Sequence, residues 1–278
     1  MNRREFLLKS SALAATTLLA SSSPSRAGTL KSFGVQLYSF RDELPKDPVG
    51  ILKQIAGMGY SQWEGYAGPK GIYWGMKPKE FRAFAKDLGA TMVSSHCDTR
   101  NNFQQTIDDA AEVGLKYLLT PYIGPQKSLD EWKLRADSFN KMGEMCAKSG
   151  LKFGYHNHDY SFKTQDGQIP QEVLLANTDP KFVVFELDLC WIEAAGLSAV
   201  DHLKKYRGRY ELCHIKDFKR QPKFVQVDVG TGDLDYKKIL RGAMDNGVKY
   251  FLVEQEQYPV SVMGSLKSDA EYMKKLEF

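Results

Sequence analysis

The chain has 278 residues, of which 42% are apolar, 12% aromatic and 26% charged. That composition excludes a disordered, collagen-like or disulfide-scaffold protein and allows a large buried core. The formal net charge of +4 gathers at the start: residues 1–27 carry four positive charges (Arg3, Arg4, Lys9, Arg26) and one negative (Glu5), so the remainder stands at +1. No basic surplus is left to attract a polyanion, and nucleic acid is set aside as a partner.

The first 27 residues combine a basic start, an apolar stretch from Ser10 to Ala20 and small residues leading to Ser25-Arg26-Ala27. This is the pattern of a cleavable export signal. Its apolar part is too short and too rich in small residues for a stable membrane anchor. Arg3-Arg4 followed by Glu5-Phe6-Leu7 resembles the twin-arginine signal, whose route carries folded proteins. The expected location is the periplasm or another exported compartment, with the twin-arginine machinery as a transient partner. Residues 28–278 form the mature domain, with self-association left open. Cys97, Cys146, Cys190 and Cys213 lack the spacing of a disulfide framework.

From Phe33 on, apolar β-rich runs alternate with amphipathic stretches. The predicted strands are 33–40, 60–66, 90–96, 116–122, 151–158, 181–189, 210–218 and 250–257. Helices are predicted near 47–58, 77–88, 102–114, 128–149, 169–177, 198–206, 235–246 and 262–275. Gly59, Gly89, Gly114, Gly150 and Gly247 close helices just before the following strands. Alternating units of about 30 residues imply parallel strands with helical crossovers, and eight such units favour one closed (β/α)8 TIM barrel. A doubly wound sheet would carry a glycine-rich loop after its first strand. Phe40-Arg41-Asp42-Glu43 stands there instead.

In such a barrel, chemistry gathers at the C-terminal ends of the strands. His96, His156, His158 and His214 fall at predicted strand ends, as do Glu64, Asp188, Glu254 and Glu256. Closure brings the fifth to eighth strands side by side. His156 or His158, Asp188, His214 and Glu254 then converge as mixed nitrogen and oxygen ligands for one divalent ion: Mn, Zn, Co, Fe or Mg. Lys216 shares an inward face with His214, and Glu186 sits one layer below Asp188. Tyr38, Trp63, Tyr66, Trp74 and Trp191 are candidates to stack on sugar rings, with His96 and Glu256 beside them.

The motifs YHNHDYSF, ELDLCWIEAAG, ELCHIKDF, VDVGTGDLDY and FLVEQEQ, in that order, resemble the sugar phosphate isomerase/epimerase group of the xylose isomerase-like TIM barrel superfamily. The resemblance implies a metal held by one ligand from each of the fifth to eighth strands, with acid/base carboxylates isomerising or epimerising sugars. Asp188, His214 and Glu254 match three of those ligands. The fifth strand departs from the common pattern, with His156 in the usual place of a Glu and His158 one step nearer the mouth. A neutral ligand there leaves the ion more positive and removes one base.

The expected reaction is proton abstraction next to a carbonyl in a small, non-phosphorylated carbohydrate. Glu254 is the first candidate base, Glu64 or His158 the second acid/base, and Lys216 a stabiliser of the developing charge. An alternative is a 3-keto-glycoside lyase or hydrolase working through the same enolate. Two further readings are weaker, a non-catalytic sugar-binding barrel and an endonuclease-like phosphodiesterase. Gly230-Thr231-Gly232-Asp233 falls where this architecture often holds phosphate, but it offers an acid and no base.

Overall fold

The computed structural model describes residues 29–278; the export signal expected over residues 1–27 lies outside them. Eight parallel strands close into a barrel: β1 (Gly34–Gln36), β2 (Gln62–Gly65), β3 (Thr91–His96), β4 (Tyr117–Thr120), β5 (Lys152–His156), β6 (Val183–Asp188), β7 (Tyr210–Ile215) and β10 (Tyr250–Val253). The seam is the parallel pair β1–β10, with Gly34 opposite Leu252 and Val35 opposite Val253. A Cβ on Gly34 would fall on the Gln62 carbonyl oxygen of β2 and on the Leu252 side chain across the seam, so β1 fits between its neighbours only because the residue is glycine.

The crossovers are α1 (Pro48–Met58), α2 (Pro78–Asp87), α3 (Phe103–Val113), α4 (Leu129–Lys148), α5 (Pro170–Asn177), α6 (Leu189–Ala194), α7 (Ala199–Lys205), α8 (Tyr236–Asp245) and α9 (Val262–Lys275). Local chemistry sets their ends. Asp47, Ser128, Ser198, Asp235 and Ser261 each accept a first-turn amide. The five predicted glycines close α1, α2, α3, α4 and α8 at φ between 71° and 104°. All four cysteines are buried and free. Among the described residues no helix is long and apolar enough to cross a membrane.

Three predicted strands end three or more residues early, each for a visible reason. After Gln36 the first turns into a helical turn over Leu37–Phe40, fixed when the Gln36 side chain accepts the Tyr38 amide at 2.9 Å. The seventh stops at Ile215, and Asp217–Lys219 (β8) folds back antiparallel on Val225–Val227 (β9) as a hairpin. The last leaves the ladder after Val253, because side chains then take over: Gln255 donates its amide to Ser39 Oγ at 3.0 Å and Glu256 donates its amide to Gln226 Oε1 at 3.2 Å.

Inside the barrel, Val93, Leu119, Val184, Leu212 and Leu252 fill a dry lower layer. Above it Gln36, Glu64, His96, His156, Glu186, Asp188, His214 and Lys216 are buried and polar, which places the chemistry at the C-terminal mouth.

Asp269 of α9 ties two mouth loops together. It accepts the Val229 amide at 2.7 Å and the Gln255 side-chain amide at 2.9 Å. Burial pushes its carboxyl up from 3.8 to about 7. A carboxyl raised on folding contributes stability that is complete below its unfolded value and is lost as pH rises through the folded one. Urea unfolding of the wild type should therefore show stability falling from about pH 4 to about pH 7, on the order of a few kcal/mol in all. Asp269→Asn should flatten that slope; an unchanged slope would assign it to other groups.

Candidate metal centre and active site

Glu64 on β2, His96 on β3, His156 on β5, Glu186 and Asp188 on β6, and His214 on β7 meet at the mouth, each fully or almost fully buried. Barrel register explains the meeting: His156 lies opposite Glu186, and Asp188 opposite His214. Glu254 follows β10 directly and is likewise buried.

Glu186 is the hub of the lower tier. Its Oε2 lies 2.9 Å from His96 Nε2, 3.1 Å from His156 Nδ1 and 3.1 Å from His214 Nε2. Burial alone would favour the neutral acid, but the adjacent His214 charge and the imidazole hydrogen bonds outweigh it and hold the carboxyl well below its usual range. An ionised carboxylate only accepts. His156 therefore carries its proton on Nδ1 and keeps the Nε2 lone pair free toward the mouth, where Asp188 Oδ2 lies 3.9 Å away. Burial and the neighbouring His214 keep His156 neutral by lowering its pKa well below the ordinary imidazole value.

His214 lies between two acids, with Nδ1 2.8 Å from Glu254 Oε2 and Nε2 2.6 Å from Glu64 Oε1. Burial opposes its charge, yet Glu186 and Glu254 raise its pKa well above normal. Glu64 is itself held by the Gln36 side-chain amide at 2.7 Å. It is fully buried beneath His214 and takes no part in the cavity wall. The structure thus makes it a partner of His214 and His96, not the acid/base expected across the barrel.

Lys216 forms the upper tier. Its ammonium lies 2.8 Å from Asp188 Oδ2, 2.6 Å from Glu254 Oε2 and 2.6 Å from Glu256 Oε1. Burial would lower its pKa, but Asp188 and Glu254 raise it far above the usual value, so it stays charged. It compensates three acids and is not free to track a developing oxyanion.

His156, Asp188, His214 and Glu254 each offer a ligand atom within 4.8 Å of the others. This donor set fits a divalent cation. Two imidazoles and two carboxylates converge, Glu186 aims the His156 lone pair, and the described cluster buries Glu64, Glu186, Asp188 and Glu254 against Lys216 and His214. A second grouping, His96, His156, Glu186 and His214, meets the same distance test. It shares His156 and His214 with the first, and its remaining members, His96 and Glu186, are hydrogen-bonded to each other at 2.9 Å.

Above the donors a cavity of about 760 Å³ opens, lined among others by Tyr38, Tyr66, His96, His156, His158, Lys216, Glu254 and Glu256. His158 stands beside the ligand residues. Burial and the Lys216 charge lower its pKa to about 4, and its Nδ1 has no partner. Trp191 stacks on His158 and on Phe224, closing a smaller neighbouring recess of about 580 Å³. Trp63 does not reach the cavity. It points outward onto Phe81 of α2, with its indole donating to the Tyr60 carbonyl. The alternation of strand faces already opposes it to Glu64. Trp74 is also packing, buried edge-on against Tyr66.

Sequence reasoning missed Gln36 and Asp217. Gln36 faces Glu64 in register. Asp217 accepts the amides of Phe218, Gly230, Gly232 and Leu234 at 2.8 to 3.3 Å. The neighbouring Thr231 and Asp233 amides go to the carbonyls of Asp228 and Phe218. Every amide of the loop expected to face a phosphate is already occupied. The signal was present in the sequence, an acid directly after an inward Lys with a Gly-x-Gly following.

The model of the xylose isomerase-like TIM barrel family matches residues 52–276. Inosose dehydratase of Clostridium perfringens is 30% identical over 147 residues, 47% of this chain and 49% of that protein. The chain thus matches about half the length of such curated relatives. Two crystal structures of sugar phosphate isomerase/epimerases from Parabacteroides distasonis superpose with TM-scores of 0.76 and 0.78. They are 27% and 24% identical and cover 88% and 91% of this chain and 98% of their own. At lower identity the fold is shared with 3-keto-D-glucoside 4-epimerase from E. coli (17%, TM-score 0.66, covering 88% and 99%). It is also shared with a Mycobacterium smegmatis barrel in complex with magnesium (15%, TM-score 0.66, covering 88% and 95%) and with a protein holding a zinc atom (12%, TM-score 0.67, covering 86% and 95%). With the family model running from the first helix to the end of the last, the chain belongs to the xylose isomerase-like TIM barrel family.

Proposed function

We propose that this chain is a divalent-metal-dependent enzyme that removes a proton next to a carbonyl of a small, non-phosphorylated carbohydrate and returns it as an isomerisation or epimerisation. The observation that carries the reading is the convergence of His156, Asp188, His214 and Glu254 at the floor of a cavity of about 760 Å³. A metal held by these four supplies a Lewis acid for the carbonyl oxygen.

The protein's own groups do the rest. His158 is the base in this reading, because it lines the cavity beside the ligand residues, takes part in none of their ion pairs and is neutral at pH 7. Glu254, the first expectation, is engaged by His214 at 2.8 Å and by Lys216 at 2.6 Å and serves as a ligand in this reading. Lys216 keeps Asp188, Glu254 and Glu256 from repelling one another. Tyr38 and Tyr66 offer ring edges and faces to the sugar.

Elimination is the second reading, favoured by the likeness to inosose dehydratase: the same enolate expels a substituent from the neighbouring carbon. Export through the twin-arginine route to the periplasm belongs to the proposal as well.

Incubation of the metal-loaded protein with ketoses and 3-keto-glycosides in D₂O tests both readings. Deuterium at the carbon next to the carbonyl of recovered sugar supports isomerisation or epimerisation, and release of the neighbouring substituent supports elimination. Neither, across the panel, would overturn the proposal.

A further inference from the structure

Building on the sugar reading, we infer that the cavity takes a substrate of two parts, a keto-sugar ring at the donor end and a flat apolar or aromatic aglycone in the outer half. A hexose has about a dozen non-hydrogen atoms and, even allowing each the ~30 Å³ that a water takes in the liquid, fills about 360 Å³. The cavity measures about 760 Å³. Roughly half of it lies beyond the sugar.

The outer wall differs in chemistry from the floor. Residues 135, 138, 139 and 142 of α4 share one helical face, and Phe139 and Met142 present apolar surface there together with Ile123 and Tyr122. Tyr122 is 61% exposed at the entrance, its ring nearly perpendicular to the His158 ring at 5.3 Å and to the Tyr160 ring at 5.4 Å. Part of the polar surface of this half is engaged within the protein. Arg135 Nε donates to Gln126 Oε1 at 2.9 Å, Arg100 Nε pairs with Asp98 at 3.2 Å, and Ser138 donates to the Leu134 carbonyl at 3.0 Å. Against Tyr122, Ile123 and Met142 the hydroxyls of a second sugar would find no partners, whereas an aromatic ring needs none.

Calorimetric titration of the metal-loaded enzyme with 4-nitrophenyl and methyl D-glucosides, in both anomers, tests this without turnover, since neither probe is oxidised. The aryl glucoside should bind about tenfold or more tightly than the methyl one. Tyr122→Ala and Met142→Lys should each erase most of that difference while leaving the methyl glucoside unchanged. Equal affinities, no aryl binding, or variants that weaken both probes alike would overturn the subsite. If exchange occurs in D₂O but the aryl preference is missing, the subsite alone fails; if the preference is present without exchange or release, the reaction fails and the subsite stands.

Discussion

His214→Ala and Asp188→Asn should each abolish metal retention and turnover together, by more than ~100-fold, because each removes a direct ligand and not one of its supports. The two variants are complementary controls. Asp188 Oδ1 also accepts the Trp191 amide at 2.9 Å and so caps α6. Asparagine keeps that cap, so the fold should persist while the anionic donor is lost. His214→Ala instead leaves Glu64 and Glu254 without the cation between them. Metal content of the purified variants and the D₂O reaction provide the two readouts. Full turnover with full metal in either variant would disprove the ligand assignment.

Glu186→Gln should lower metal affinity by about 10- to 100-fold although Glu186 lies outside the proposed ligand set. One Glu186 oxygen serves three ring nitrogens. A glutamine has a weaker acceptor, and its amide end cannot accept at all. The His156 tautomer is then no longer fixed, and its Nε2 loses the lone pair in part of the population. A competition titration with a chelator measures the affinity, and circular dichroism separates it from loss of fold. An unchanged affinity would reduce Glu186 to packing.

Much of this arrangement was legible beforehand, for reasons that particular residues make plain. Helix ends were readable because Gly59, Gly150 or Ser261 act through local backbone chemistry. The convergence of His156, Asp188, His214 and Glu254 was readable because strand ends in a closed barrel have only one place to point. Trp63 and Glu64 sit next to each other on β2, and alternation alone sends one outward and the other in; counting parity would have removed Trp63 from the sugar-binding set. The hairpin of β8 and β9 was not legible. Its formation depends on Asp217 gathering amides up to seventeen residues away, an interaction with no periodic trace. The engagement of Glu254 by Lys216 was hidden for the same reason, since it turns on where the ammonium comes to rest.

The Asp217 loop has a wider consequence. Barrels of this shape often greet a phosphate with a row of free backbone N–H groups after the seventh strand. Here the row is intact, but the protein's own acid has moved in as a permanent tenant, bringing a negative charge of its own. A phosphate arriving there would have to displace the Asp217 carboxylate from the Gly230, Gly232 and Leu234 amides, so on the proposed reading any discrimination against phosphorylated sugars rests on a resident competitor and not on missing donors.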